Sequence, residues 1–188
     1  MTSVAELLKD DDVKRKFLAL PKAQQLGYAW RTKWLSQAHD HQILPPGDWA
    51  IWLLLGGRGA GKTRTAAEQI GWWAWTQPNT RWLVSAPTAM DVRGTCIEGE
   101  SGLLNVIPAE MIADYNKSLL ELKLTNGSLI KGISASEPDR FRGGQYHGAW
   151  LDELAAWDYL QDAWDMIMFS VRLGQETKII ASTTPRPK

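Results

Sequence analysis

An α/β fold with a mostly parallel central sheet flanked by helices is predicted by three features of the sequence. Short runs at 49–55, 81–86, 148–151 and 178–183 read as strands, and the first and third carry no polar residue, as expected of strands covered on both faces. Helical stretches separate them: 63–76, with Ala66, Ile70, Trp73 and Ala74 facing inward, and 158–173, with a stripe of Leu160, Trp164, Ile167 and Val171 stopped by Gly174. Such alternation is the mark of parallel strands joined by helices. Between them, Leu120, Leu122 and Leu124 alternate with polar neighbours ahead of Asn126-Gly127. That pattern predicts a β-hairpin of 119–125 and 128–133 with a type I′ turn.

Residues 1–44 read as an N-terminal helical segment. Ser3 and Glu6 have capping-box spacing, and Leu7, Leu8, Phe17, Leu18 and Leu20 supply apolar positions up to Pro21. A second helix is predicted over 22–37. Pro45-Pro46-Gly47 breaks the chain and sets the boundary to a core at 45–188.

Composition bounds the function. The 188 residues, 44% hydrophobic and 22% charged, exclude a disordered or fibrous chain. The longest apolar run, 49–55, is far short of the roughly 20 residues a membrane helix needs, so no membrane partner is expected. The N-terminus, with Asp10, Asp11 and Asp12, lacks a signal-peptide pattern. A lone Cys96 excludes an intrachain disulfide or a cysteine-built zinc site and fits a reducing cytosol. Lys plus Arg (21) balances Asp plus Glu (21), so net charge gives no support to nucleic-acid binding. The 11 tryptophans are read as packing residues rather than base-stacking platforms.

Gly56-Gly57-Arg58-Gly59-Ala60-Gly61-Lys62-Thr63 satisfies the P-loop pattern G-x-x-x-x-G-K-[ST]. The glycines let successive backbone N–H groups aim at phosphate oxygens, and the following helix adds the positive end of its dipole. Lys62 suits the β- and γ-phosphates, and the Thr63 hydroxyl is a hard ligand for Mg²⁺. ATP and Mg²⁺ are therefore the expected cofactors of a P-loop NTPase. Asp152 and Glu153 end the 148–151 strand, where open α/β sheets bind ligands. Asp152 suits the metal side, and Glu153 suits orienting and deprotonating an attacking water. A small-molecule kinase has no use for such a water activator, so Glu153 argues against a P-loop phosphotransferase.

The P-loop, the string from Arg140-Phe141-Arg142-Gly143-Gly144-Gln145 to Trp150-Leu151-Asp152-Glu153-Leu154-Ala155-Ala156-Trp157, and Ile179-Ile180-Ala181-Ser182-Thr183-Thr184-Pro185 together resemble the large terminase subunit of tailed bacteriophages. The resemblance covers about 42–187 and implies an ATPase that drives viral double-stranded DNA into a capsid. It implies a homo-oligomeric ring on the capsid portal, monomeric when isolated, a small terminase subunit as partner, and the cytoplasm of the bacterial host as the place of work. By matching position, Gly56 to Thr63 would hold the triphosphate and metal, Asp152 would assist the metal, and Glu153 would be the catalytic carboxylate. Arg58 would touch the γ-phosphate side of its own ATP. Arg142, with Arg140 in reserve, would reach a neighbouring subunit's ATP. Thr183 or Thr184 would sense γ-phosphate loss, as the family's coupling motif does. Gln42 is a weaker match for adenine contact and reads more simply as a solvated loop residue. The chain stops five residues after Thr183, before the family's nuclease domain, so no DNA cutting is expected of it. A nucleotide-binding remnant without motor activity is the alternative that the residues leave open.

Overall fold

The computed structural model describes residues 10–185, and they divide into two compact units between Leu44 and Pro45. In the first unit, helix α1 (Asp11–Ala19) is started by Asp10, whose carboxylate accepts from the Asp12 and Val13 N–H groups. Helix α2 (Lys22–Gln37) follows Pro21. The Ser3–Glu6 capping box, with Leu7 and Leu8, lies outside the described residues. Gln42 is buried rather than solvated: its Oε1 accepts from the His39 N–H at 2.9 Å and closes a short turn over Asp40–Gln42.

The second unit contains β1 (Ile51–Leu55), α3 (Lys62–Thr76), β2 (Arg81–Ala86), β3 (Ile112–Asn116), β4 (Glu121–Leu124), β5 (Leu129–Ser134), β6 (Gly148–Leu151), α4 (Leu160–Ser170) and β7 (Lys178–Thr183). One seven-stranded sheet runs β1-β7-β6-β2-β5-β4-β3. The first five strands of that order are mutually parallel, and β4 and β3 return antiparallel. The sheet centre is apolar: Leu83, Val84, Ala149, Trp150, Leu151 and Ile180 are fully buried, each large side chain contributing about 1.5–3 kcal/mol of burial free energy. The strand order places β7 between β1 and β6. The loop leaving β1 and the acids leaving β6 therefore flank the end of one strand.

Four details depart from the sequence expectations. β1 is an edge strand, not one covered on both faces: Ile51, Leu53 and Leu55 are 44%, 53% and 63% exposed, and β7 is its single sheet neighbour among the described residues. The hairpin turn is not type I′, which needs positive φ at both central residues. Gly127 has φ +85 but Asn126 does not lie in that region. Leu124 N–H bonds to Ser128 C=O at 2.9 Å, leaving a three-residue loop. Asn126 is occupied elsewhere, since its Nδ2 donates to the Ala74 and Trp75 carbonyls, each at 2.8 Å, at the end of α3. Helix α4 ends at Ser170, short of Gly174, because Val171 turns out to form a parallel bridge with Tyr146. Its exposed start leaves Leu160 41% accessible, so Ala163 and Ile167 are the buried stripe. Finally, β3 extends the hairpin to a third antiparallel strand, a segment with no alternating pattern to announce it.

Candidate functional site

The loop after β1 turns through left-handed backbone at Gly61, φ +74, a conformation that costs an L side chain about 1 kcal/mol or more. Helix α3 begins at the next residue, Lys62, so the loop's N–H groups and the helix dipole share one focus. There lies a cavity of about 490 Å³, lined by Arg58, Gly59, Ala60, Gly61, Lys62, Thr63, Arg64, Gly94, Thr95, Gly99, Glu100, Ser101, Glu153 and Thr184. The Lys62 side chain is only 10% exposed. Its ammonium donates to the Gly56 carbonyl at 2.8 Å, the Gly57 carbonyl at 3.1 Å and Thr184 Oγ1 at 3.0 Å. Glu153 Oε1 stands 3.6 Å from it.

The acids leave β6 in opposite directions. Asp152 is buried and does not line the cavity; its Oδ1 accepts from Ser182 Oγ at 2.6 Å, its N–H donates to the Ser85 carbonyl at 2.8 Å, and its carbonyl accepts from Trp157 Nε1 at 2.9 Å. Burial pushes the Asp152 carboxyl up from its ordinary value, against the opposing bond from Ser182. Glu153 turns outward on left-handed backbone, φ +52, at a cost of order 1–3 kcal/mol. Its Oε1 accepts from the Thr184 hydroxyl at 2.7 Å and its Oε2 from the Thr184 N–H at 2.9 Å. Partial burial alone would raise the Glu153 carboxyl; the two Thr184 bonds and the Lys62 charge outweigh it and hold the group below its ordinary value.

Arg58, Gly59, Ala60, Gly61, Lys62, Thr63, Glu153 and Thr184 thus line one cavity, with Gly56 and Gly57 supplying carbonyls to Lys62. Thr183 lies outside the lining, its Oγ1 accepting from the Ala155 N–H at 3.1 Å. Arg142 is not brought to the cavity. It is exposed, pairs with Asp139 at 3.2 Å, and borders a separate hollow with Tyr159, Asp162 and Asp165. Arg140 pairs with Glu137 at 3.4 Å.

Sequence reasoning missed the far wall, Gly94 to Ser101. It begins within a π-helical turn, Val92–Ile97, a rare form that recurs at functional sites. It folds back so closely that a Cβ on Gly99 would lie 2.7 Å from the Gly94 and Thr95 carbonyls. The cluster of Gly94, Gly99 and Gly102 around Ser101 was the available signal. Among the described residues no group of three or more His, Cys, Asp or Glu could hold a metal. Of the two residues expected on the metal side, Thr63 lines the cavity and Asp152 does not; both are hard oxygen donors of the kind Mg²⁺ takes together with waters and substrate phosphates.

The sheet order, the loop and the acid pair define an α/β domain of the P-loop type. The family profile of the terminase large subunit, T4likevirus-type, N-terminal region, matches residues 53–188, and the chain belongs to this family. Solved structures of the same architecture include the large terminase ATPase domain of Thermus phage P74-26, 18% identical, covering 80% of this chain and 67% of that one with a TM-score of 0.57. The large terminase of the thermophilic bacteriophage D6E is 14% identical, covering 86% of this chain and 39% of that one, TM-score 0.62. The D6E protein in complex with ADP is 15% identical over 87% of this chain and 39% of that one, TM-score 0.58. The chain therefore spans about four-tenths of the D6E protein's length.

Proposed function

We propose that this chain is an Mg²⁺-dependent ATPase whose hydrolysis drives double-stranded viral DNA into a capsid. The observation that supports the chemistry is the meeting of a phosphate-loop lysine and an acid across one cavity, Lys62 Nζ and Glu153 Oε1 at 3.6 Å. The D6E large terminase has been solved with ADP and with ATP-γ-S, which supports a nucleotide as the ligand.

Lys62 exchanges the Gly56 and Gly57 carbonyls for β- and γ-phosphate oxygens. Thr63 and Asp152 would hold Mg²⁺, which neutralises charge developing on the phosphates. Glu153 orients the attacking water and takes its proton. Arg58 faces the γ-phosphate of the same chain, and Thr184, touching both Lys62 and Glu153, registers its departure. Arg142, exposed just before Gly143-Gly144, serves the ATP of a neighbouring copy in a ring docked on the portal, with the small terminase subunit as further partner, in the host cytoplasm.

ATP turnover measured with and without DNA tests this reading. Lys62→Ala should abolish it, and wild-type turnover in that variant would remove the P-loop assignment. Arg142→Ala and Lys62→Ala chains, each inactive alone, should regain activity when mixed at a concentration where wild-type chains associate. Failure to recover would place the arginine in cis and leave Arg58 in the role.

A further inference from the structure

Strand β7 ends in two hydroxyl residues, Ser182 and Thr183, and a third, Thr184, follows it; each is bonded to a different residue of the turn that carries the acids. Ser182 Oγ donates to Asp152 Oδ1 at 2.6 Å. Thr183 Oγ1 accepts from the Ala155 N–H at 3.1 Å. Thr184 gives Glu153 both its hydroxyl, at 2.7 Å, and its N–H, at 2.9 Å.

We propose that Ser182 and Thr184 are positioning residues, Ser182 fixing the side chain of Asp152 and Thr184 fixing that of Glu153 in register with Lys62. The proposal rests on the ATPase reading and adds to it how the two carboxylates are held.

Chemistry dictates the direction of the Thr184 bond. An ammonium group only donates, so the hydroxyl must accept from Lys62 at 3.0 Å, and its single proton is left for Glu153. Two donors from one residue reach the two oxygens of Glu153 and fix the plane of its carboxylate. That anchor is needed, because Glu153 sits on left-handed backbone, φ +52, outside the β6 strand that would otherwise direct it. Ser182 can serve as a fixed point because it is fully buried and lies in a strand paired on both sides, with β1 and β6. A misplacement of about 1 Å at a reacting group costs on the order of 10²-fold in rate, so the loss of one anchor is measurable.

The test is Thr184→Val, which keeps the branched shape and removes the hydroxyl. Turnover should fall by about 10- to 100-fold, with the KM for ATP and the affinity for a fluorescent ATP analogue within about twofold of wild type; Thr184→Ser should restore most of the rate. Wild-type turnover in Thr184→Val, or no rescue by Thr184→Ser, would overturn the proposal. Ser182→Ala should likewise lower turnover and raise the Mg²⁺ concentration needed for half-maximal analogue binding; an unchanged Mg²⁺ requirement overturns the Ser182 half. A readout independent of turnover is hydrogen exchange at the residue-184 amide in the nucleotide-free protein. With the hydroxyl gone, Glu153 loses one of two anchors and this amide should exchange about tenfold faster. Unchanged exchange sinks the positioning role even if the chain is an ATPase. Faster exchange in a chain that never hydrolyses ATP would leave the contact standing and remove the function.

Discussion

The two ends of the same parallel strands are built on opposite terms. At the carboxyl ends, Gly56, Asp152, Ser182 and Thr184 bring together backbone carbonyls, hydroxyls, an ammonium and two carboxylates, with Glu153 on strained backbone. At the amino ends, the ring of Trp82 stacks on Trp73 at 5.6 Å and lies 6.3 Å from His147, while Trp49 lies 6.3 Å from Trp73 with the Lys178 ammonium 5.1 Å above its ring. Polar atoms there are paired locally: Trp82 Nε1 donates to Thr80 Oγ1 at 2.8 Å, and Lys178 donates to the Trp49 carbonyl at 2.7 Å. One end spends its side chains on packing, and the other gathers charged and polar groups around a cavity. Substitutions should therefore separate, the aromatic end governing stability and the polar end governing chemistry.

The largest expected effect breaks the packing end. Trp82 is 2% exposed, and Trp82→Ala should lower unfolding free energy in urea by about 3–5 kcal/mol. Protein that remains folded should bind nucleotide within about threefold of wild type, since Trp82 lies at the other end of its strand. A large loss of affinity at full foldedness would show the two ends to be coupled.

Glu153→Gln tests the other end. Hydrolysis should fall by at least about 10²-fold, the lower range for loss of a general base, while nucleotide affinity and unfolding free energy change little. If affinity, stability and rate fell together, Glu153 would belong with the structural groups and the contrast between the ends would fail.

Much of this contrast was legible before the structure. Gly56 to Thr63 and Asp152-Glu153 are contiguous in the chain, and the apolar run before each fixed where in a strand they fall. The bounds of β2, β6 and β7 follow from runs closed by Pro87, Asp152 and Pro185. What escaped was tertiary. Ile112–Asn116 has no alternation, because β3 sits at the sheet edge with most of its side chains exposed. The Gly94 to Ser101 wall became part of the site through a backbone approach that no spacing rule encodes. Ser182 reads as one more strand residue until the sheet order sets it beside Asp152. The exposure of Ile51, Leu53 and Leu55 escaped for the same reason: an apolar run predicts a strand but not which strand stands at the edge.

The smallest predicted effect uses α3, which links the two ends within one element. Its first residue, Lys62, belongs to the cavity, and at its last turn Asn126 donates to the Ala74 and Trp75 carbonyls, each at 2.8 Å. Those carbonyls are among the four a helix leaves unsatisfied at its C-terminus. Asn126→Ala removes both donors from a half-buried position, and a net hydrogen bond is worth about 0.5–1.5 kcal/mol. Unfolding free energy should fall by about 1–2 kcal/mol on that basis, with nucleotide affinity unchanged, because the loop geometry is set at Gly61 and not at the far turn. Asn126→Asp sharpens the test: the acceptor to Ser128 N–H at 3.1 Å survives, but a carboxylate now faces the negative end of the helix dipole, so the loss should equal or exceed that of Asn126→Ala. A drop in nucleotide affinity matching the drop in stability would mean that the helix carries strain from one end to the other, and the division of labour between the two ends of the sheet would have to be abandoned for α3.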